Sequence, residues 1–364
     1  MKVLQVLPEL NSGGVERGTL ELSAHLAATG HESLVLSGGG RLVERIEAAG
    51  GRHITLPVGR KSLFSLALIP RLRRLMREER PHIVHVRSRV PAWLVWLAWR
   101  GLPTNARPRL VSTVHGFYSV NQWSAIMLRG ERIICVSESI RDYAIKNYPK
   151  LAPELLRVVP RGVDPGQYPY GFKPDEAWRN AFDAEFPATR GKVLLTLPGR
   201  ITRLKGHRDL VEILKQLAHR DDVHALVVGG AHPKKTAYFD EVRDQVKSEG
   251  LSDRVTFTGN RDDLRQILAI STVVLSLTTQ PESFGRTTLE ALAMGIPVVG
   301  YDHGGVGEQL ATLFPEGHVP PLDTGAAART IERLLDQPVE VRRENPFTLQ
   351  RMLEGTVAVY QELT

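Results

Sequence analysis

Residues 276–310 read SLTTQPESFGRTTLEALAMGIPVVGYDHGGVGEQL, and the order of these residues decides the fold. Val273 to Thr279 is rich in β-branched residues and predicts a buried strand. Gln280-Pro281 ends it. Arg286 to Met294 has a helical pattern that stops at Gly295, suited to a left-handed C-cap, with Pro297 just beyond. Ile296 to Tyr301 predicts the next strand. Such a unit places the loop Glu282-Ser283-Phe284-Gly285 at the carboxyl end of a parallel strand and the start of a helix. Open α/β sheets bind ligands there. Unpaired amides and the positive helix end favour phosphate.

Two carboxylates frame this turn, Glu282 before the helix and Glu290 inside it. A phosphate alone does not want two negative charges nearby. A sugar nucleotide does, because its hydroxyls need charged acceptors. A surface turn with an acid at the helix start and an exposed helix glutamate has the same spacing. The choice between these readings rests on the remainder of the chain.

The 364 residues suggest two domains of ordinary size, each able to bury a core. A single cysteine, Cys135, excludes an internal disulfide and fits a reducing compartment. Met1 to Leu10 is too short for a signal-peptide core and predicts a first buried strand. The longest apolar stretch, Pro91 to Trp99, is far short of a membrane span. Residues 1–165 carry 24 basic and 13 acidic side chains, a balance of +11, whereas residues 166–364 carry 23 and 27, a balance of −4. This asymmetry points to an anionic partner for the first half, with nucleic acid and an anionic membrane surface as candidates.

Strands are expected at Lys2–Leu7, His31–Ser37, Arg52–Pro57, Pro81–Val86, Arg109–Val114 and Arg132–Val136, with helices at Val15–Thr29 and Leu42–Ala49. Gly13-Gly14 lies between the first strand and the first helix, the usual place of a phosphate loop, although the pattern is not GxGxxG. Gly59 to Arg80 mixes apolar Leu63, Phe64, Leu66, Leu68, Ile69, Leu72, Leu75 and Met76 with Arg60, Lys61, Arg71, Arg73, Arg74 and Arg77. It reads equally as a sheet-covering helix with a solvated basic face and as a dock for anionic lipid. No aromatic platform or groove-reading motif accompanies it, which argues against nucleic acid. Trp93, Trp96 and Trp99 share one helix face, expected to be a buried core face rather than a membrane-touching belt. His115-Gly116 ends the fifth strand, at the ligand edge of the first sheet. Ser137 is expected to cap the helix Glu138 to Tyr148.

Pro165 to Arg190 reads as a connection plus a lead-in helix near Glu176 to Phe186. A second strand–helix series follows, with strands at Val193–Leu197, Ala225–Val228, Val255–Thr258, Val273–Thr279 and Ile296–Tyr301. Arg200 and Lys205 lie where a strand gives way to a helix. A planar guanidinium fork and a lysine point charge suit a diphosphate there.

Glu282, Phe284, Gly285 and Glu290 match the E-x-F-G-x4-E element of retaining family 4 glycosyltransferases. The chain resembles that family elsewhere, in order: Gly13-Gly14 with Glu16 as G-G-x-E, His115 in TVHGFY, Gly199-Arg200 to Lys205-Gly206 as G-R-x4-K-G, and Gly304-Gly305 to Glu308 as G-G-x-x-E. Arg161 stands where the family's N-G-V-D turn has Asn. The resemblance implies an α/β, GT-B fold: two tandem Rossmann-like doubly wound parallel-sheet domains with a cleft between them. Residues 1–170 would form the acceptor-side domain, with a C-terminal helix at 346–364 crossing back onto it. Residues 171–345 would bind the nucleotide sugar.

By the same resemblance, Arg200 and Lys205 hold the donor phosphates and stabilise the departing diphosphate. Glu282 holds sugar hydroxyls and Glu290 the ribose hydroxyls. The amides near Phe284 and Gly285 meet the phosphates or sugar, as does the bare backbone of Gly13 and Gly14. The loop with Asn260 and Arg261 cradles the base, with Arg261 stacking on it. His115 orients the sugar or helps the acceptor hydroxyl. The implied reaction is retaining transfer of a hexose-type sugar from a nucleotide-diphosphate sugar, UDP-sugar favoured, to a glycan acceptor. No D-x-D motif flanks a strand end, so no metal and no other cofactor is expected. The expected partners are the donor, a glycan or lipid-linked glycan acceptor of bacterial lipopolysaccharide or another surface glycan, and an anionic membrane surface, but no nucleic acid. The expected location is cytoplasmic, peripheral on the inner membrane face. A UDP-sugar epimerase of the same fold and a non-catalytic nucleotide-sugar-binding protein are the alternatives.

Overall fold

A computed structural model describes residues 1–11, 13–231 and 236–364, and nothing of the Leu63 side chain. Ser12, in the expected glycine loop, and the side chain of Leu63, in the expected apolar stripe, therefore lie outside the described set. The chain forms two compact units, Met1–Arg161 with Gln350–Thr364, and Gly162–Leu349.

The first unit is built on seven strands: β1 Lys2–Val6, β2 Glu32–Ser37, β3 Arg52–Thr55, β4 Ile83–Val86, β5 Arg109–Val114, β6 Arg132–Cys135 and β7 Leu156–Val158. Their order is β3-β2-β1-β4-β5-β6-β7, and every pair is parallel. The strands read as near-continuous aliphatic runs because helices cover both faces. Val3, Ile83, Val84 and Val111 are fully buried. Connections from β1 run one way across the sheet and those from β4 the other. The switch point, where such sheets open a crevice, lies at the carboxyl ends of β1 and β4.

The second unit repeats the plan with β8 Val193–Pro198, β9 Val223–Val228, β10 Val255–Gly259, β11 Val273–Ser276, β12 Val298–Tyr301 and β13 His318–Val319. The order is β10-β9-β8-β11-β12-β13, again all parallel, with the switch between β8 and β11. β13 was not expected, being two residues bounded by Pro315-Glu316-Gly317 and Pro320-Pro321. The expected strand to Thr279 ends at Ser276, because the next residues leave the sheet and Thr279 N–H donates to the Leu204 carbonyl, 2.9 Å away. The helix Glu176–Glu185 is capped by Asp175, whose carboxylate accepts from Trp178 N–H. It covers the sheet through Phe182, packed with Leu194, Leu226, Val228 and Ile267.

Three further expectations are refined. The helix expected from Asn345 begins at Leu349. The Asn345 side chain instead accepts from Phe347 N–H at 2.8 Å and closes a turn. The last helix, Leu349–Gln361, anchors in the first unit through Tyr360, which is fully buried and lies 2.6 Å from His85 Nδ1. The basic segment splits into a 3₁₀ turn, Leu63–Leu68, and a helix, Ile69–Glu79, that buries only Leu72 and Met76. Its Arg73 turns back to the Ala98 carbonyl, while Arg71, Arg74 and Arg77 are exposed.

The tryptophan face is a correction. The helix Arg89–Arg100 buries Pro91, Ala92, Leu94, Val95 and Ala98, which leaves Trp93, Trp96 and Trp99 half-buried on its flank. Those rings are covered by cations rather than by the core: Arg129 sits over Trp93 and Trp96, Arg100 over Trp96 and Arg107 over Trp99. Among the described residues, no helix is long and apolar enough to cross a membrane.

Candidate active site

In the second unit the two loops at the switch point are fitted to each other by glycine. β8 ends at Pro198, and Gly199 follows with φ 137°. The exposed Arg200 comes next and makes no hydrogen bond or ion pair with the described residues. Lys205 ends a short 3₁₀ turn before Gly206. Gly206 has φ 72°, and a Cβ there would lie 2.0 Å from the Leu277 carbonyl oxygen. Only glycine permits this approach, which brings the loop after β8 against the loop after β11.

The result is an ion pair between Lys205 Nζ and Glu282 Oε1. Both are partly exposed, at 32% and 24% of their side chains, so an incoming ligand can reach them. The two groups named from separate motifs, 77 residues apart, thus meet. A cation and a carboxylate thus stand side by side at this edge, each open to solvent.

Gly285, φ 86°, is the N-cap of the helix Arg286–Ala293, whose first amides face the same edge. A Cβ at Gly285 would meet Val306 Cγ2 at 2.7 Å. Phe284 is 4% exposed and packs edge-on against Phe347, so its side chain is a structural anchor and only its backbone is left for a ligand. Glu290, one turn into the helix, is buried at 7% exposure. The Gly304-Gly305 stretch does more than follow the next strand. Gly305 N–H donates to the Glu282 carbonyl at 2.8 Å, and a Cβ at Gly304 would lie 2.3 Å from that same oxygen. The second glycine pair therefore fixes the backbone of Glu282.

Asn260 Oδ1 accepts from Gly230 N–H at 2.9 Å, tying the loop after β10 to the end of β9. Arg261 differs from its expected part. Its guanidinium is taken up by Asp263 and Glu185 at 2.8–2.9 Å and lies over Phe186. These bonds hold it charged and turn it toward the helix Glu176–Glu185. A guanidinium engaged in this way is not free to stack on a base, and its partner Glu185, 76 residues away, is announced by no local pattern. Two residues of this edge escaped the sequence reading. Thr278 Oγ1 is closed to solvent without a partner. His303 Nε2 lies 2.7 Å from the Thr278 carbonyl.

In the first unit, Gly13 (φ 144°) precedes the helix Gly14–Ala28. A Cβ on it would lie 2.5 Å from Glu16 Oε2, so the G-G-x-E spacing folds its own glutamate over the glycine. His115 ends β5. Its backbone N–H donates to Tyr118 Oη at 3.3 Å, and its Nε2 is closed to solvent and unpartnered. Burial, then the cationic Arg161 and Arg87, push its pKa well below the usual histidine value. The imidazole is neutral at pH 7. Arg161, at the position where an asparagine was expected, is 8% exposed and donates from Nη2 to the Gly14 carbonyl at 2.5 Å.

Comparison with known proteins agrees with this geometry. Residues 12–167 match the pattern described as Glycosyltransferase Family 4, and residues 179–346 match that of Glycosyl transferases group 1. The crystal structure of a glycosyltransferase from Rickettsia africae superposes with a TM-score of 0.87 at 28% identity, covering 100% of this chain and 98% of that one. Anabaena HepE, in complex with UDP and glucose, shares the fold at a TM-score of 0.77 and 21% identity, over 99% of this chain and 95% of its own. N-acetyl-alpha-D-glucosaminyl L-malate synthase of Bacillus anthracis is 27% identical over 91% of this chain and 86% of its own length. Matches to several other curated relatives span about half of their length or less. With two matched patterns that together take in most of the chain, and with both parallel sheets of the GT-B fold in place, the chain belongs to the family 4 glycosyltransferases, a family of enzymes.

Proposed function

We propose that the protein is a retaining, metal-independent hexosyltransferase that uses a nucleotide-diphosphate sugar, UDP-sugar favoured. The observation that carries this reading is the Lys205–Glu282 pair beside the exposed Arg200 at the β8/β11 switch point. Arg200 and Lys205 bind the diphosphate and supply the positive charge that a metal supplies in other transferases. Glu282, released from Lys205, accepts from sugar hydroxyls. Glu290 accepts from the ribose hydroxyls. The amides at Phe284 and Gly285 and the glycine loop at Gly13-Gly14 meet the donor through bare backbone. That HepE was crystallised with UDP supports the choice of base by likeness of fold.

The acceptor hydroxyl attacks the anomeric carbon on the face the diphosphate leaves. The C–O bond to phosphate breaks, the C–O bond to the acceptor forms, and the acceptor proton passes to the departing phosphate oxygen. Lys205 and Arg200 stabilise that oxygen as it gains charge. The neutral His115 imidazole serves as a hydrogen-bonding group that orients the sugar or the acceptor hydroxyl, not as a cation.

The acceptor in this reading is a bacterial surface glycan, such as lipopolysaccharide core, carried on lipid at the cytoplasmic membrane face. The +11 balance of residues 1–165 and the exposed Arg71, Arg74 and Arg77 support it. Product analysis tests the whole reading. A panel of UDP- and GDP-sugars, with and without glycan acceptor, should give acceptor-dependent release of the nucleoside diphosphate with retained anomeric configuration. Acceptor-independent conversion of the sugar would mean an epimerase, and binding without turnover a non-catalytic protein.

A further inference from the structure

At the switch point of the first unit lies a cationic group that the reaction above does not use. Arg87 is the first residue after β4 and is 4% exposed. Its Nη1 donates to the neutral Thr19 hydroxyl at 3.2 Å, the side chain's one hydrogen bond among the described residues. Its Nε is closed to solvent and unpartnered. A buried guanidinium is costly unless an anion and a full set of hydrogen bonds compensate it. Among the described residues no carboxylate hydrogen-bonds or ion-pairs with it, and Glu21 attracts it only as a neighbouring charge.

The surroundings deepen the imbalance. His115, at the end of the neighbouring β5, presents a second unpartnered, solvent-closed nitrogen. His85, two residues before Arg87, is spent on Tyr360 and Thr113, each at 2.6 Å. Arg161 adds a further buried guanidinium, directed at Gly14. The helix Gly14–Ala28 carries both Gly14 and Thr19, so its first two turns lie beside both arginines. Two guanidinium groups, from the residue after β4 and the segment after β7, thus lie beside this helix and the neutral His115 imidazole.

We propose that the first unit holds an oxyanion site here, in which Arg87, with His115 and the start of the helix Gly14–Ala28, takes a phosphate or carboxylate group of the acceptor. The planar fork of Arg87 suits either group. That the ligand is the acceptor rests on the glycosyl-transfer reading. Occupancy by an oxyanion does not.

The test is thermal unfolding of the full chain in a Lys205→Ala background, which weakens phosphate binding at the donor side. Inorganic phosphate and malonate are titrated separately against sodium chloride at matched ionic strength. At least one should raise the Tm saturably, unlike the non-saturating effect of an excluded salt. A response to phosphate alone assigns a phosphorylated acceptor, and a response to malonate alone a carboxylated one. Arg87→Met should weaken the responding anion by about tenfold or more. The same substitution should leave the Tm in chloride unchanged or higher, because an apolar side chain of similar length relieves an unmatched buried charge. Arg87→Lys, a point charge without the fork, should bind with intermediate strength. The proposal is overturned if neither anion exceeds chloride, if Arg87→Met retains the parent's affinity, or if it lowers the Tm or fails to fold, any of which makes Arg87 structural. UDP titration separates the two readings. A parent that binds UDP but no oxyanion sinks this inference alone, and a parent that binds no UDP sinks the function beneath it.

Discussion

The two sheets reverse direction at equivalent places, β1 against β4 and β8 against β11, yet the chemistry gathered there differs. At the second switch point a lysine and a glutamate neutralise each other at the partly exposed edge. At the first, arginines are buried beside histidines, and among the described residues no acid hydrogen-bonds or ion-pairs with Arg87, Glu21 acting on it only as a neighbouring charge. The backbone plan supplies the crevice in both cases. What fills it follows from whether the charges are balanced within the protein or await a ligand. A balanced pair can be shared between phosphate and hydroxyl, as a donor sugar needs. An unbalanced group accepts only an anion.

The largest effect is expected where the balance is broken at the second edge. Lys205→Ala should lower turnover about 100-fold or more, comparable to losing a donor to a developing oxyanion. The fold should persist, because the lysine is partly exposed. Steady-state kinetics beside a melting curve reads both, and near-normal turnover would remove the site from this edge. Next in size is membrane attachment. Each exposed basic residue near an anionic surface contributes about 1 kcal/mol. Replacing Arg71, Arg74 and Arg77 by Gln should therefore weaken co-sedimentation with anionic vesicles by about 100-fold, and added salt should mimic the change. Salt-insensitive binding, or none at all, leaves these residues a solvated face. Smaller is the effect on nucleotide alone. Glu290→Ala should weaken UDP binding by about tenfold or more, while Glu282→Ala spares free UDP and weakens the UDP-sugar. Calorimetric titration of the two variants showing equal affinity for UDP would deny Glu290 the ribose.

The smallest expected effect is a flat line. Burial and neighbouring cations hold His115 well below the usual histidine range. The folded protein thus keeps it neutral near pH 7, and the rate should show no inflection near 6.5 from this group. The sign for stability follows. The unfolded chain binds protons that the folded His115 and His85 refuse, so stability is full above about pH 6.5 and is lost as pH falls below it. An unfolding series from pH 8 to 5 that showed rising stability would contradict the burial of these rings.

Much of the fold was legible because parallel strands announce themselves as aliphatic runs and because glycine marks the turns. Gly206, Gly285 and Gly295 all have positive φ, so their places in the sequence carried geometric information. The Ser137 cap was likewise readable, and its hydroxyl accepts from Ile140 N–H at 3.2 Å. What was not legible depends on distant partners. The contact of Gly304-Gly305 with Glu282 joins loops that no local pattern connects. The capture of Arg261 by Glu185 is equally non-local. The tryptophans show a different limit. A three-residue spacing defines a helix face, but the adjacent face of small and aliphatic residues packed more closely, and the larger rings took the rim. Arg87 read as one more basic residue because the sequence does not show burial.

The chain passes from the first unit to the second after Arg161 and returns at Gln350, and the two passages run side by side, bridged from Val163 to Thr348. A Cβ at Gly162 would lie 2.1 Å from the Thr348 carbonyl, so the outgoing and returning threads are pressed together. During synthesis the first unit must therefore wait. Tyr360, which closes over His85, and Glu362, which receives Arg132 and Arg157, leave the ribosome only after all of Gly162–Leu349 has been made. The second unit is expected to acquire protease resistance on nascent chains while the first remains open. Cleavage of stalled chains that struck both units equally would show that the last helix is dispensable for closing the first.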